Sequence, residues 1–215
     1  MINKGKQEHE PIILPKPDKK GGKTLLETLK LRQTNRNISS KELPIQILSN
    51  LLWAAFGVNR DKASFNKTGR TAPSASNSQE IDLYVVVKEG VYLYDATHKL
   101  KPVLLGDYRK MCGRWSQVIE NAPLNIIYVA DLSRYDLGPN QPDPHIGEPE
   151  IQKSYYFTDT GFIAQNIYLY AASEGLATWF HNCDKNNISK ELNLRLEQIT
   201  LFVHTIGYPE LKSIS

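Results

Sequence analysis

Cysteine and histidine are scarce and scattered in this sequence. Cys112 and Cys183 are the only cysteines among 215 residues, they form no CxxC pair, and the five histidines show no HxxxH or HxH spacing. Zinc sites, iron–sulfur clusters and disulfide frameworks depend on such pairs and spacings. The sequence therefore predicts neither a metal site nor a disulfide framework.

The sequence also lacks long apolar runs and a strong excess of charge. No run approaches the ~20 apolar residues of a membrane-spanning helix, and the first residues do not resemble a signal peptide. The net charge is only +3, and the basic residues are spread out, which argues against nucleic-acid binding. We expect a cytoplasmic protein that uses neither membrane nor nucleic acid, although removal of a signal peptide would leave the same sequence.

Composition and length are typical of one soluble globular domain. Apolar residues make up 40% of the chain and charged residues 23%, which is an ordinary balance for such proteins. Residues 1–23 are rich in proline, lysine and glycine without periodicity, which favours an extended N-terminal arm or disorder. We therefore predict an arm at 1–23 and a folded domain at 24–215.

Hydrophobic periodicity predicts helices interleaved with strands. A first helix should begin near Thr24 and end at Arg32, and a second should have Ser39 or Ser40 as its cap and Gly57 as its terminator. Polar residues 58–80 and 131–150 are predicted loops, the second long enough for a lid or binding loop. The pattern as a whole favours the α+β class, with a central mixed β-sheet and helices on both faces. The other predicted elements are a hairpin of Ile81–Val87 and Val91–Asp95, helices at Asp107–Asn121, Ser154–Glu174 and 187–197, and strands Leu124–Ala130 and Ile199–Ile206.

The first candidate binding segment is LRQTNRN, residues 31–37. Arg32, Thr34 and Arg36 occupy every second position where the helical pattern ends, and Gln33 lies between the first two. In an extended backbone the three side chains would point the same way. Two guanidinium groups beside a hydroxyl suit a phosphate monoester, because each can donate two parallel hydrogen bonds. The alternative is a pair of solvated arginines at a helix C-terminus, where the helix dipole favours cations.

The second candidate segment is PSASNSQ, residues 73–79. Small side chains such as Ser74 and Ala75 after Pro73 would let the backbone approach a flat ligand closely. Asn77 and Gln79 each carry a donor and an acceptor, which suits the polar edge of a pyrimidine-like ring. The alternative is an ordinary capped loop before a strand.

The third candidate segment is TDTGFIAQN, residues 158–166. Glycine inside a helix costs about 1 kcal/mol relative to alanine, so Gly161 indicates close approach of another helix or of a ligand ring. Gln165 and Asn166 have the simpler interpretation of hydrogen bonds to neighbouring loops.

Taken in order, these segments resemble the flavin-dependent nitroreductase superfamily. The resemblance covers about residues 24–210 and rests on four motifs, namely Arg-x-Thr-x-Arg, PSASNSQ before a strand, DTGFIAQNIYLYAASEGLAT, and a last strand ending in IGYP. The stretches LLWAAFGVNR (Leu51–Arg60) and YLYDATHKL (Tyr92–Leu100) are similar to its branch related to thiazoline and oxazoline dehydrogenases.

The resemblance implies a homodimer with two FMN molecules at the subunit interface. By this resemblance, the segment Arg32, Gln33, Thr34 and Arg36 corresponds to the ligands of the phosphate and ribityl chain. Asp159 and Gly161 fall where the family places an acidic residue and a glycine near the isoalloxazine ring. The loop reaching the flavin of the other subunit would be formed by Pro73, Ser74, Ala75, Asn77 and Gln79.

Two departures from the family pattern concern the phosphate site. Many members carry a Lys or Arg pair after the GYP motif, whereas only Lys212 follows it here. Thr34 replaces the usual serine and keeps the hydroxyl. Lys212 is therefore the remaining candidate for completing the site.

The function implied is hydride transfer from NADH or NADPH through FMN to a small organic acceptor. Two alternatives remain at this stage. One is an azoline-type dehydrogenase acting on a peptide, and the other is a flavin-binding protein without turnover.

Overall fold

The computed structural model describes residues 10–113, 116–136, 138 and 143–210. Its centre is a seven-stranded sheet with the strand order β1-β6-β5-β4-β7-β9-β8, beside a two-stranded sheet of β2 and β3. The helices are α1 (Leu25–Leu31), α2 (Ile45–Phe56), α3 (Gln117–Asn121), α4 (Pro149–Glu174) and α5 (Lys185–Glu191). The strands are β1 (Ile12–Ile13), β2 (Val58–Arg60), β3 (Gly69–Arg70), β4 (Ile81–Val87), β5 (Gly90–Tyr94), β6 (Lys99–Leu105), β7 (Leu124–Asp131), β8 (Ala177–His181) and β9 (Gln198–Gly207).

The sheet is buried between two helical layers. Along β4 successive side chains point to opposite faces, so that Leu83 and Val85 join one core cluster while Tyr84 and Val86 join the other. The first cluster includes α2 and α4, through residues such as Leu51 and Ile163. The second includes side chains of α3 and α5, with Ile119 and Ile188 among them. This confirms the predicted α+β class with helices on both faces.

The pairing within the sheet is more uniform than the mixed sheet that we predicted. Every strand pair in the described residues is antiparallel. Strand direction is fixed by contacts between distant parts of the chain, which a local hairpin signal does not report.

Helix α4 is the longest element and connects the candidate segments. Its 26 residues correspond to about 39 Å. It begins at Pro149, five residues before the predicted start, and ends before Gly175, whose φ of 71° is a left-handed helix terminator. None of the described helices is long and apolar enough to span a membrane.

Three predicted helix features are wrong. The helix predicted at 187–197 ends at Glu191, since α5 is Lys185–Glu191. Residues 107–121 do not form one helix, because a 3₁₀ turn at Arg109–Cys112 is followed by extended backbone at Gly113, and α3 begins only at Gln117. The cap of α2 is Pro44 rather than Ser39 or Ser40. The backbone N–H of Ser39 instead donates to the Tyr208 carbonyl at 2.9 Å, in an extended segment.

Residues 10–23 of the predicted arm lie along the domain. β1 pairs with β6 at the edge of the sheet. The next residues are held by polar side chains of α2, since Ser49 Oγ donates to the Pro15 carbonyl at 2.6 Å and Gln46 Nε2 donates to the Lys16 carbonyl at 3.0 Å. Residues 1–9 lie outside the described part of the chain.

Replacing Ser49 with alanine should loosen this arm. Ser49 is fully buried and also bonds His98 Nε2 at 2.8 Å, so the substitution removes the partner of two half-buried polar groups, the Pro15 carbonyl and the His98 ring. A loss of about 1–2 kcal/mol would raise the population of the detached arm about fivefold to thirtyfold. Trypsin cleavage after Lys19 or Lys20 should accelerate accordingly. Ser154→Ala removes an exposed intrahelical bond and serves as the matched control; equal cleavage rates in both variants would contradict the expectation.

Candidate functional site

The loop Pro73–Gln79 has an unusual backbone immediately before β4. Ser76, Asn77 and Gln79 have φ values of 50°, 51° and 55°. Non-glycine residues rarely adopt this left-handed region, and such strain is typical of functional sites.

Polar side chains of this loop maintain its shape. Ser74 Oγ accepts the Gln79 N–H at 2.9 Å, and Asn77 Nδ2 donates to the Ser64 carbonyl at 3.0 Å. Gln79 is buried, with Nε2 donating to the Thr68 carbonyl at 2.7 Å and Oε1 accepting from Arg70 Nε at 2.8 Å. The Gln79 amide therefore acts within the chain as a positioning group.

A second strained loop lies against the first and was not predicted as part of the site. Phe65 has φ 60° and an exposed side chain, which is an outlier for a bulky residue. Its neighbours Ser64 and Thr68 supply the carbonyls that hold Asn77 and Gln79. The two loops thus form one unit.

Asp159 of α4 anchors this unit to the core. Its Oδ2 accepts the Ala75 N–H at 2.9 Å. Asp159 and Glu80 are both buried. Burial and the neighbouring Glu80 carboxylate raise the pKa of Asp159 from 3.8 to about 8. Glu80 was missed at the sequence level, although an acidic residue directly before a buried strand was a usable signal.

Gly161 lies on an exposed stripe of α4. Within the described chain a Cβ added at Gly161 would meet no atom within 4 Å. The stripe also contains the exposed Phe157, Phe162 and Gln165. Close packing inside this chain therefore does not explain the glycine.

Arg32, Thr34 and Arg36 lie on extended chain beyond the end of α1. The Thr34 hydroxyl is 2.9 Å from the Tyr168 hydroxyl, and the Arg32 guanidinium lies over the Tyr168 ring at 5.5 Å. The Arg36 guanidinium lies over the ring of Trp179 at 5.3 Å. The sequence places Tyr168 in the predicted helix Ser154–Glu174 but does not identify it as a site residue. Trp179 lies in no predicted element.

Neither arginine forms an ion pair with an acidic residue in the described part of the chain. Gln33, between them, is exposed. Lys212 lies outside the described residues. The last described residue, Glu210, donates its N–H to the Asn37 carbonyl at 3.0 Å, which is next to Arg36.

The two groups of candidate residues lie on opposite sides of α4. Asp159 contacts the loop 73–79, and Tyr168 contacts the arginine segment. These helix residues are nine positions apart, which corresponds to about 14 Å along the axis and about half a turn around it. One chain therefore does not bring both groups to one small ligand.

Comparisons with known proteins identify the family. Residues 29–208 match the nitroreductase family. The chain is 28% identical over 193 residues to a provisionally named nitroreductase of Methanocaldococcus jannaschii, covering 85% of this chain and 90% of that protein. It is also similar to a crystal structure of a provisionally named nitroreductase of Ralstonia eutropha JMP134, with 32% identity, a TM-score of 0.81, and coverage of 95% of this chain and 92% of that one.

A further similarity concerns the fold alone. A chain of the E. coli microcin synthetase McbBCD complex with truncated pro-MccB17 bound is 18% identical, with a TM-score of 0.65 and coverage of 96% of this chain and 80% of that one.

The family match, the structure of 32% identity and the antiparallel sheet all indicate the same family. This chain belongs to the nitroreductase family.

Proposed function

We propose that this chain forms a homodimeric oxidoreductase that binds FMN and transfers hydride from NADH or NADPH to a small organic acceptor. The observation that carries the proposal is the pair Arg32 and Arg36, which flank the Thr34 hydroxyl without acidic partners in the described residues. Unpaired guanidinium groups on an extended segment offer the charge and the donors that a phosphate monoester requires. The donor set therefore fits the FMN phosphate.

The position of the loop 73–79 supports a site that two subunits share. In one chain the loop and the arginine segment are separated by α4, so a flavin held by the arginines would meet this loop only from a second copy. The family resemblance assigns the loop the same role. In this proposal the strained backbone of the loop fixes its small side chains for contact with a flat ligand.

Exposed apolar side chains supply a surface for the second copy. On α1, which packs against α4, Leu25, Leu26 and Leu29 are 64%, 78% and 47% exposed. On α4, Phe162 is 45% exposed beside Gly161. Obligate dimers typically bury more than about 2,000 Å² of mainly apolar surface, and in this proposal these side chains form part of it.

In this proposal the protein contributes binding and orientation. A bound flavin supplies the hydride-transfer chemistry. Arg32, Thr34 and Arg36 hold the phosphate of the flavin, and the loop 73–79 orients its ring. The exposed stripe of α4, with Phe157 and Phe162, excludes water. Lys212 is proposed as a further phosphate ligand.

The purified protein should carry FMN at one molecule per chain, because each dimer has two equivalent sites. The measurement is the visible spectrum, followed anaerobically while NADH or NADPH is added and then after addition of a quinone or nitroaromatic acceptor. Bleaching followed by recovery of the flavin absorbance is expected. A colourless protein whose addition leaves the FMN spectrum unchanged would contradict the proposal, and bound FMN that neither nucleotide bleaches would favour a flavin-binding protein without turnover.

A further inference from the structure

A pair of acidic side chains, Glu80 and Asp159, is buried beneath the loop 73–79. Glu80 is 0% exposed and Asp159 is 4% exposed. In the described residues, neither carboxylate has a lysine or arginine within ion-pair distance. Two like charges side by side in a buried site cannot both be retained at low free energy, so one group holds a proton.

The pair contacts the loop at two points. Asp159 Oδ2 accepts the Ala75 N–H at 2.9 Å. Glu80 Oε2 accepts from Ser78 Oγ at 2.6 Å. Burial and the neighbouring Glu80 carboxylate favour the protonated form of Asp159, and Glu80 Oε1 is a buried acceptor without a hydrogen-bond partner in the described residues. With Oδ2 occupied by Ala75, the proton belongs on Oδ1 and is donated to Glu80.

We propose that Asp159 and Glu80 share one proton, and that this pair is the positioning element that holds the loop 73–79 in the conformation that binds flavin. The inference rests on the proposed function, because it concerns the loop that would meet the flavin. Loss of the proton would place a second negative charge beneath the loop, and the contacts to Ala75 and Ser78 would then be made by two carboxylates that repel each other.

Other titratable groups lie around the pair, and one of them needs a separate test. Burial first, and then nearby carboxylates, raise the pKa of Tyr135 far above its ordinary value. A hydrogen bond to Asp143 raises the pKa of Tyr155. Arg134 donates to the Gln79 carbonyl at 2.8 Å. Burial lowers the pKa of Lys67, which donates to the Ser78 carbonyl at 3.2 Å, so Lys67 needs its own control.

The test is the affinity for FMN between about pH 7 and about pH 9.5, measured by quenching of FMN fluorescence. Above about pH 8 the wild-type affinity should fall by up to about tenfold per pH unit, the limit for one linked proton. Asp159→Asn keeps an acceptor for Ala75 and a donor for Glu80 but cannot titrate, so its affinity should not change over this range. Lys67→Gln should keep the wild-type slope. Glu80→Gln should lose the slope, because only one charge remains beneath the loop.

Thermal unfolding without FMN gives a second readout. The folded state keeps a proton on Asp159 that the unfolded chain loses above about pH 4, so this group lowers the stability of the wild type as pH rises from about 4 to about 8. The Tm of Asp159→Asn relative to wild type should therefore increase between about pH 5 and about pH 8, and then stay constant. A merely structural role predicts a Tm difference that does not depend on pH.

The outcomes separate this inference from the proposed function. Wild-type FMN affinity without a fall above pH 8, or an Asp159→Asn profile that follows wild type, overturns the pair while FMN binding stands. A constant Tm difference overturns the shared proton. Absence of FMN binding at every pH overturns both the proposed function and the flavin role of the pair, and the Tm profile still decides whether the proton is shared.

Discussion

Replacing Arg32 with alanine should weaken FMN binding about tenfold to a hundredfold, and Arg36→Lys should weaken it less. Alanine leaves part of the phosphate charge unpaired, whereas lysine keeps the charge and loses only the two-pronged geometry. A charge-assisted hydrogen bond contributes about 1.5–3 kcal/mol, which corresponds to about one to two decades in Kd. The measurement is the Kd for FMN at fixed ionic strength.

Lys190→Ala is the matched control for this experiment. Lys190 is an exposed cation on α5, and it forms no ion pair in the described part of the chain. Its removal changes the net charge by the same amount as Arg32→Ala. Small and equal effects of the Arg32, Arg36 and Lys190 variants would mean that the two arginines are solvated and hold no phosphate.

Mixed dimers of two variants that each fail to bind FMN should recover half of the flavin occupancy. One chain carries Arg32→Ala with Arg36→Ala, and the other carries Ser74→Ala with Asn77→Ala. If the arginines of one subunit and the loop of the other build each site, every mixed dimer has one intact site and one doubly damaged site. Flavin per dimer, measured after copurification of differently tagged chains, should rise from near zero to about one.

Each parental variant alone is the control for the mixing experiment. Both should bind little FMN, because each homodimer has two half-damaged sites. Mixed dimers that form and yet bind no FMN would show that the arginine segment and the loop of one chain serve the same site. The separation of these groups across α4 would then have to close by rearrangement.

The elements predicted correctly are those whose signals are local. The N-terminus of α1 was recognisable from Thr24, which forms a capping box with Glu27. β7 was recognisable as a continuous apolar run, and all its residues are buried. The missed strand β6 contains Pro102 and lies opposite a register shift between Val91 and Tyr92, so its sequence lacks a strict alternation. Its pairing with β5 exists only in the folded chain.

The same distinction applies to the candidate site. The order of motifs identified the segments around Arg32, Ser74 and Asp159, because each motif is contiguous. Glu80 and Asp159, which both bond the loop 73–79, are 79 positions apart in the sequence, and no local pattern relates them. Likewise, the position of Phe65 beside the loop 73–79 depends on hydrogen bonds from Asn77 and Gln79 to backbone carbonyls, which the sequence does not encode in a readable way.

The pairing at the two sheet edges bears on the tendency of this protein to aggregate. At one edge β1 pairs with two residues of β6. At the other edge the Asn35 N–H donates to the Thr178 carbonyl of β8 at 3.0 Å. An uncovered edge is a template for strand addition by another chain and hence for aggregation. Loss of the arm by proteolysis would free the part of β6 that pairs with Ile12 and Ile13, next to Val103 and Leu105, whose side chains are already exposed. The arm therefore covers this part of the edge against strand addition, separately from anything the protein does with a cofactor.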